Sequence, residues 1–128
     1  MTEAELRALI PKGEHDTERA EKLVALGYPA VAPIVPELIE WLRDGNWPVA
    51  RILGPFLQTI GLPLVPEIRR VFATDDYGWQ YFLLVFLVNT PEMVAALRAE
   101  LTRLAEHPTP REAEEALDEL AQECLEEG

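Results

Sequence analysis

Carboxylate and aromatic side chains occur together in two turn-like stretches, and they are the residues best suited to chemistry. The first stretch, DGNW, holds Asp44, Asn46 and Trp47, and the second, DDYGW, holds Asp75, Asp76, Tyr77 and Trp79. Carboxylates at turns could hold a cation or a basic side chain, and exposed tryptophan and tyrosine dominate the energetics of protein interfaces. The same residue types serve structure, because aspartate caps helices and buried aromatic rings fill a core. Both interpretations stay open at this point.

Other reactive residue types are few, and their spacing matches no known catalytic pattern. His15 and His107 lack an HExxH-type spacing, the chain contains no serine, and Cys124 lies on an apolar stripe without a basic neighbour. The sequence has no P-loop, GxGxxG or GxSxG motif. We therefore expect a protein that is not an enzyme and that uses no cofactor and no metal.

The charge of the chain is strongly negative and uneven. The net charge is −12 over 128 residues, and the stretch from Glu106 to Gly128 holds nine acidic residues against Arg111 alone. Such a surface repels polyphosphate and anionic lipid and attracts cationic partners, so we expect a basic protein partner, no nucleic acid and no membrane. The single cysteine, the acidic N-terminus and the shortness of the apolar run from Tyr81 to Val88 favour the cytoplasm, since a membrane span takes about 20 residues.

The elements that position these side chains are predicted to be helices. Apolar residues recur at helical spacing along the chain, which predicts an all-α domain over residues 1–128 with seven or eight helices. Capping boxes are expected at Thr2 and Thr109, caps at Asp16, Asn46 and Asp76, and glycine stops at Gly27 and Gly61. Asn46 would accept the Val49 amide. Continuous helical patterns are expected over 34–43, 93–104 and 113–125.

The stretch WQYFLLVFLV, residues 79–88, is apolar on nearly every side. Periodicity alone does not separate a buried helix from a buried strand in such a run. No other segment offers a strand partner, and an unpaired buried strand would leave its backbone groups without hydrogen bonds. We therefore interpret it as a central helix, covered on several sides.

Two stretches repeat in the same order along the chain. At an offset of 34, LGYPAVAPI (residues 26–34) aligns with IGLPLVPEI (residues 60–68), and near an offset of 32 DGNW aligns with DYGW. A period in this range is typical of stacked helical hairpins, so we expect an α-α superhelix. These residues resemble HEAT-type repeats. The stretch WLRDGNWPVA (pattern WLxDxNWPVA), with LIPKGEHD before it and TDDYGW after it, also resembles an uncharacterised family of small bacterial HEAT-like proteins, a domain of unknown function.

The resemblance covers most of residues 9–105 and implies a fold without a known activity. Ala50 stands where many HEAT repeats carry an arginine, so the aspartate–arginine ladder of long arrays is not implied. The leading hypothesis is a non-catalytic module that binds a basic protein, with an immunity- or antitoxin-like role as one specific form. The alternatives are a small-ligand, metal or enzymatic site at the aspartate–aromatic turns, and HEAT-like nucleic-acid binding through Arg51, Arg69 and Arg70.

Overall fold

A computed structural model describes residues 1–127, and that part of the chain is all-helical, as predicted, with no strand. It contains ten α-helices and three short 3-10 turns, more helices than the seven or eight expected. The chain forms two compact units, Met1–Thr59 and Ile60–Gly128.

The first unit contains four α-helices. They are α1 Glu3–Arg7, α2 Thr17–Leu26, α3 Val35–Glu40 and α4 Pro48–Ile60, the last of which ends one residue beyond the unit. The predicted capping box at Thr2 and the predicted cap at Asp16 are confirmed, because each side chain accepts a backbone amide of the first helical turn. Gly27, at φ +75°, ends α2 as expected, in a conformation that glycine adopts at little cost. The continuous helix predicted over 34–43 is shorter than expected, because residues Trp41–Arg43 form a 3-10 turn after α3.

The second unit contains the remaining six helices. They are α5 Val65–Phe72, α6 Tyr77–Leu87, α7 Pro91–Ala96, α8 Arg98–Glu106, α9 Pro110–Glu114 and α10 Leu117–Glu127. Helix α10 packs against α8 and α6, and α5 packs against α6. The caps predicted at Asp76 and Thr109 are confirmed, and Gly61, also at φ +75°, follows α4.

The two extra helices arise from breaks inside apolar patterns that the sequence shows as continuous. Leu97, at φ −110° and ψ 15°, separates α7 from α8, and Ala116, at φ 61°, separates α9 from α10. Both residues continue the apolar stripe, so their side chains give no sign of the break. The predictions of one continuous helix over 93–104 and another over 113–125 are therefore wrong, because each region contains two helices. The apolar residues of both regions are nevertheless largely buried.

The internal repeat has a different register from the one expected. A 3-10 turn followed by an α-helix occurs at Ala32–Ile34 with Val35–Glu40, and again at Leu62–Leu64 with Val65–Phe72. The two copies are therefore offset by 30 residues, which aligns APIVPE with LPLVPE. The offset of 34 aligned the two glycine turns instead. Four residues separate Gly27 from the first 3-10 turn, whereas the second 3-10 turn begins directly after Gly61.

No single helix within residues 1–127 has both the length and the apolar composition of a membrane span. The helix Pro48–Ile60 and the stretch Leu62–Phe72 reach that length and composition only when they are counted together as one bent segment.

Candidate functional site

The predicted site residues are divided between the two units. Asp44, Asn46 and Trp47 lie in the first unit, between α3 and α4, and the DDYGW residues lie in the second, at the start of α6. Each group forms its own local arrangement.

The Asp44 turn places Trp47 in front of α4. The Asp44 carboxylate accepts the Asn46 amide at 2.8 Å, and the Asp44 carbonyl oxygen accepts the Trp47 amide at 3.2 Å. Aspartate commonly closes turns in this way. The predicted cap from Asn46 to Val49 is wrong, because the Val49 amide donates to the carbonyl oxygen of Glu14 at 3.1 Å. That bond comes from a distant loop, which local sequence spacing does not reveal.

Trp47 packs against Trp41 beside a cavity. The two ring centroids are 5.6 Å apart and the ring planes are inclined by 69°, an edge-to-face arrangement that aromatic pairs favour. Both residues are half-buried. They line a cavity of about 350 Å³ together with Ile10, Pro11, Glu37, Glu40 and Arg43. Trp47 is thus available to a ligand, whereas Asn46 and Asp44 shape the turn that holds it.

At the start of α6 the aspartate–aromatic residues have separate roles. Asp76 caps the helix by accepting the Trp79 amide at 3.1 Å, and Asp75 is exposed. Trp79 is only 3% exposed, with the Arg70 guanidinium 5.9 Å from its ring centroid. Tyr77 is half-buried beneath the guanidinium of Arg111, at 5.4 Å. Of these residues, Trp79 belongs to the core and is closed to a partner.

Helix α6 packs against α5 and α10, in agreement with the expected cover on several sides, but one of its faces is left accessible. Four apolar side chains, which we call the outer face of α6, remain accessible: Tyr81, Phe82, Val85 and Phe86. Val85 is 39% exposed and the three aromatic residues are half-buried. The rings of Tyr81 and Phe82 meet edge to face at 5.5 Å, and those of Phe82 and Phe86 lie 6.4 Å apart. The spacing i, i+1, i+4, i+5 places them along one stripe of the helix.

A groove lies beside this face. It has a volume of about 360 Å³, and its lining combines α6 with the junction of α9 and α10: Gly78, Tyr81, Phe82, Glu114, Glu115 and Ala116. We call it the α6–α9 groove. Its lining includes two carboxylates and no basic side chain. The left-handed conformation of Ala116 lies at this junction, and such strain is often found at functional sites.

A third carboxylate of the same segment, Glu112, has a different environment. Its side chain is 8% exposed and forms a two-pronged ion pair with Arg103, with distances of 3.0 Å and 2.7 Å. It also accepts the Thr109 amide at 2.8 Å, which completes the predicted capping box. These contacts, first of all the Arg103 guanidinium, hold the pKa of Glu112 at about 2, well below its usual value of 4.5. Glu112 is therefore charged and committed to the fold.

The remaining reactive groups do not form a metal site. No group of three or more His, Cys, Asp or Glu side chains among residues 1–127 is placed to hold a metal ion. Cys124 is buried, and burial followed by the charges of Glu127 and Glu123 raises its pKa to about 11. A thiol in this state is largely protonated at neutral pH and is a poor nucleophile.

Comparison of the sequence with family models identifies the family of the chain. The sequence model of a family described as Domain of unknown function (DUF5071) matches residues 9–125. The chain belongs to the DUF5071 family. The predicted resemblance to an uncharacterised small family is thereby confirmed, and the DUF5071 match extends beyond the expected range of 9–105 through the groove-forming residues of α9 and α10. A comparison with curated proteins finds no match.

Proposed function

We propose that this chain is a non-catalytic binding module whose partner is a basic polypeptide segment, docked on the outer face of α6. The observation that carries the proposal is the apolar stripe of Tyr81, Phe82, Val85 and Phe86 left accessible beside a groove with two carboxylates. The protonated, buried thiol of Cys124 agrees with a role that needs no nucleophile.

The apolar part of this surface has the composition of an interface centre. Aromatic residues are enriched there, and a few of them supply most of the binding free energy when a partner excludes water from them. The stripe runs along one side of α6 for about one and a half turns. An amphipathic helix that lays its own apolar face on such a stripe is a common mode of peptide recognition.

The negative charge around the apolar stripe favours a basic partner. Glu114 and Glu115 line the groove, and residues 60–128 hold fourteen acidic side chains against five basic ones. A basic segment gains attraction as it approaches this surface, which increases its association rate. A second copy of the chain is disfavoured, because a symmetric contact through this face would bring the same carboxylates together.

We further propose that the fold is HEAT-like. Support comes from the repeated 3-10 turn and α-helix, with Pro33, Val35 and Glu37 of the first copy matching Pro63, Val65 and Glu67 of the second. Repeat proteins of this class use extended concave surfaces for binding. The HEAT-like proposal agrees with a binding role but does not depend on it.

The docking proposal is tested with synthetic helical peptides of about 18 residues that place leucine on one face and lysine on the other. Isothermal titration calorimetry compares this peptide with a scrambled peptide of the same composition and with a leucine–glutamate analogue. We expect the amphipathic basic peptide alone to bind, with an affinity that falls as salt is raised, because salt screens exposed charges.

Variants of the chain then identify the surface. Phe82→Ser and Val85→Lys each weaken binding by about fivefold or more, as loss of an interface anchor does. The pair Glu114→Gln with Glu115→Gln weakens it and reduces the salt dependence. The matched charge control is Glu123→Gln with Glu127→Gln on exposed positions of α10, and the matched apolar control is Val24→Ser on α2, which is similarly exposed.

The proposal is overturned by equal binding of the scrambled peptide, by binding of the glutamate analogue, or by control variants that weaken binding as much as the groove variants do. Self-association that Val85→Lys abolishes would assign this face to a second copy instead.

A further inference from the structure

The cavity beside Trp41 and Trp47 in the first unit is similar in volume to the α6–α9 groove but has a different lining. Its volume is about 350 Å³, and its lining comes from the start of the chain and from the α3–α4 turn: Ile10, Pro11, Glu37, Glu40, Trp41, Arg43 and Trp47. This volume is near the lower limit for pockets that hold small ligands. It fits one side chain or one small molecule, and not a helix.

Two tryptophan rings form adjoining walls of the cavity. Their planes are inclined by 69°, so a group in the cavity meets two differently oriented indole surfaces. Among the aromatic side chains, tryptophan attracts a cation placed over its ring most strongly. Ile10 and Pro11 add apolar surface that can pack against methylene groups.

The charged groups at the cavity determine which ligand fits. Glu40 is exposed and forms no ion pair within the described residues. Glu37 is held by Arg7, whose Nη1 lies 2.9 Å from Oε1. Arg43 is the positive group of the lining, so apart from the Glu37 carboxylate that Arg7 neutralises, the lining holds one carboxylate and one guanidinium. A cation on an aliphatic stem can place its charge near the Glu40 carboxylate and its methylene groups along the apolar wall.

We propose that the Trp41–Trp47 cavity binds an aliphatic ammonium group of the kind that a lysine side chain and its N-methylated forms carry. The site uses residues of the first unit only, so it is separate from the peptide-docking surface proposed on α6. Either site can fail its test without affecting the other.

The test is a ¹H–¹⁵N NMR titration that observes the indole N–H signals of the three tryptophans. The probes are n-butylammonium and n-butyltrimethylammonium, with n-butanol and butyrate as neutral and anionic controls of similar size. We expect both ammonium probes to shift the Trp41 and Trp47 signals, whereas the signal of Trp79, which is 3% exposed, stays in place and serves as an internal reference.

Removing a negative or a positive charge from the cavity lining distinguishes binding of a cation from binding of a neutral or anionic group. Glu40→Gln should weaken ammonium binding by about threefold to fivefold, and Arg43→Gln should strengthen it by a similar factor, because one removes an attraction and the other a repulsion. Trp47→Leu keeps an apolar side chain but removes the indole face, so it should weaken binding by about fivefold. The dispersion of the backbone amide signals checks that each variant is folded.

The source of the ammonium group is distinguished with a glycine-flanked lysine peptide and its N-acetyl-lysine counterpart. Binding of the lysine peptide at least as tight as that of n-butylammonium identifies a polypeptide ligand, and preference for the free amines identifies a small-molecule ligand; both outcomes support the ammonium site. Absence of shifts with every ammonium probe overturns it. So does equal binding of n-butanol, or binding of butyrate that Arg43→Gln abolishes.

Discussion

Substitution of Glu112 by glutamine should destabilise the chain in a pH-dependent way. The change keeps the shape of the side chain and its capacity to accept the Thr109 amide, but it removes the negative charge. Arg103, which meets both carboxylate oxygens at 3.0 Å and 2.7 Å, then faces a neutral partner. Charge-assisted, two-pronged contacts of this kind are among the stronger hydrogen bonds in proteins.

The size of the effect follows from the pKa of Glu112. Its value of about 2 lies well below the usual 4.5, and each unit corresponds to about 1.36 kcal/mol, which gives an upper limit of about 3 kcal/mol. The Arg103 side chain is 50% exposed, so water screens part of the interaction. We therefore expect a loss of about 2 kcal/mol in the free energy of unfolding at pH 7.

The pH dependence has a definite sign. The pKa is lowered in the folded state, so the stabilisation is complete above the unfolded value of about 4.5 and is lost as the pH falls toward 2. Urea unfolding followed by circular dichroism should show a gap between the natural chain and Glu112→Gln that is constant near neutral pH and narrows below pH 4.5. The matched control is Glu67→Gln, which removes the more exposed pair with Arg70 and should cost less than about 0.5 kcal/mol. A Glu112→Gln variant as stable as the natural chain at pH 7, or a gap that does not change with pH, would refute this reasoning.

Two further predictions concern the same unit. Ala116→Gly should increase the free energy of unfolding by up to about 1 kcal/mol in urea denaturation, because it removes the cost of a left-handed alanine at φ 61° and outweighs the added entropy of the unfolded chain; a decrease in stability would contradict the strain. Cys124 should react slowly with a thiol reagent at pH 8 in the folded chain and rapidly in urea, because its pKa is about 11 when folded; rapid reaction of the folded chain would contradict its burial.

The N-terminal caps were predictable because each depends on two residues that lie three positions apart. Thr2, Asp16, Asp76 and Thr109 each accept a backbone amide three residues further along the chain. Short-range chemistry of this kind can be read from sequence spacing. The Asn46 cap was predicted by the same logic and was wrong, because the Glu14 carbonyl oxygen, distant in sequence, takes the amide instead.

The breaks at Leu97 and Ala116 could not be predicted from the pattern. Each is an apolar residue on an apolar stripe, and the sequence places no glycine or proline there. The chain direction changes through the backbone dihedral angles, while the hydrophobic periodicity continues on both sides. Glycine is the usual signal of a left-handed residue, and Ala116 lacks that signal.

The candidate site was only partly predictable. The sequence indicated Trp47 as a candidate binding residue, and the structure places it at a cavity. The periodicity of the sequence did not identify the outer face of α6, because a stripe such as Tyr81 to Phe86 has the same periodicity whether its own chain or another molecule covers it. The one available signal was that the run is apolar all round in a chain with few elements to cover it.

Under the proposed function, the short acidic segment formed by helix α9 and its junction with α10 has separate residues for stability and for binding. Glu112 is buried, its pKa is about 2, and its charge is paired with Arg103. This charge therefore stabilises the fold and is not available to a partner. Glu114 and Glu115 are exposed and line the groove beside Tyr81 and Phe82. If this division is correct, Glu112→Gln lowers stability while the remaining folded protein binds the basic peptide normally. The pair Glu114→Gln with Glu115→Gln weakens peptide binding and leaves the free energy of unfolding unchanged. A loss of stability in that variant would show that the groove carboxylates also stabilise the fold.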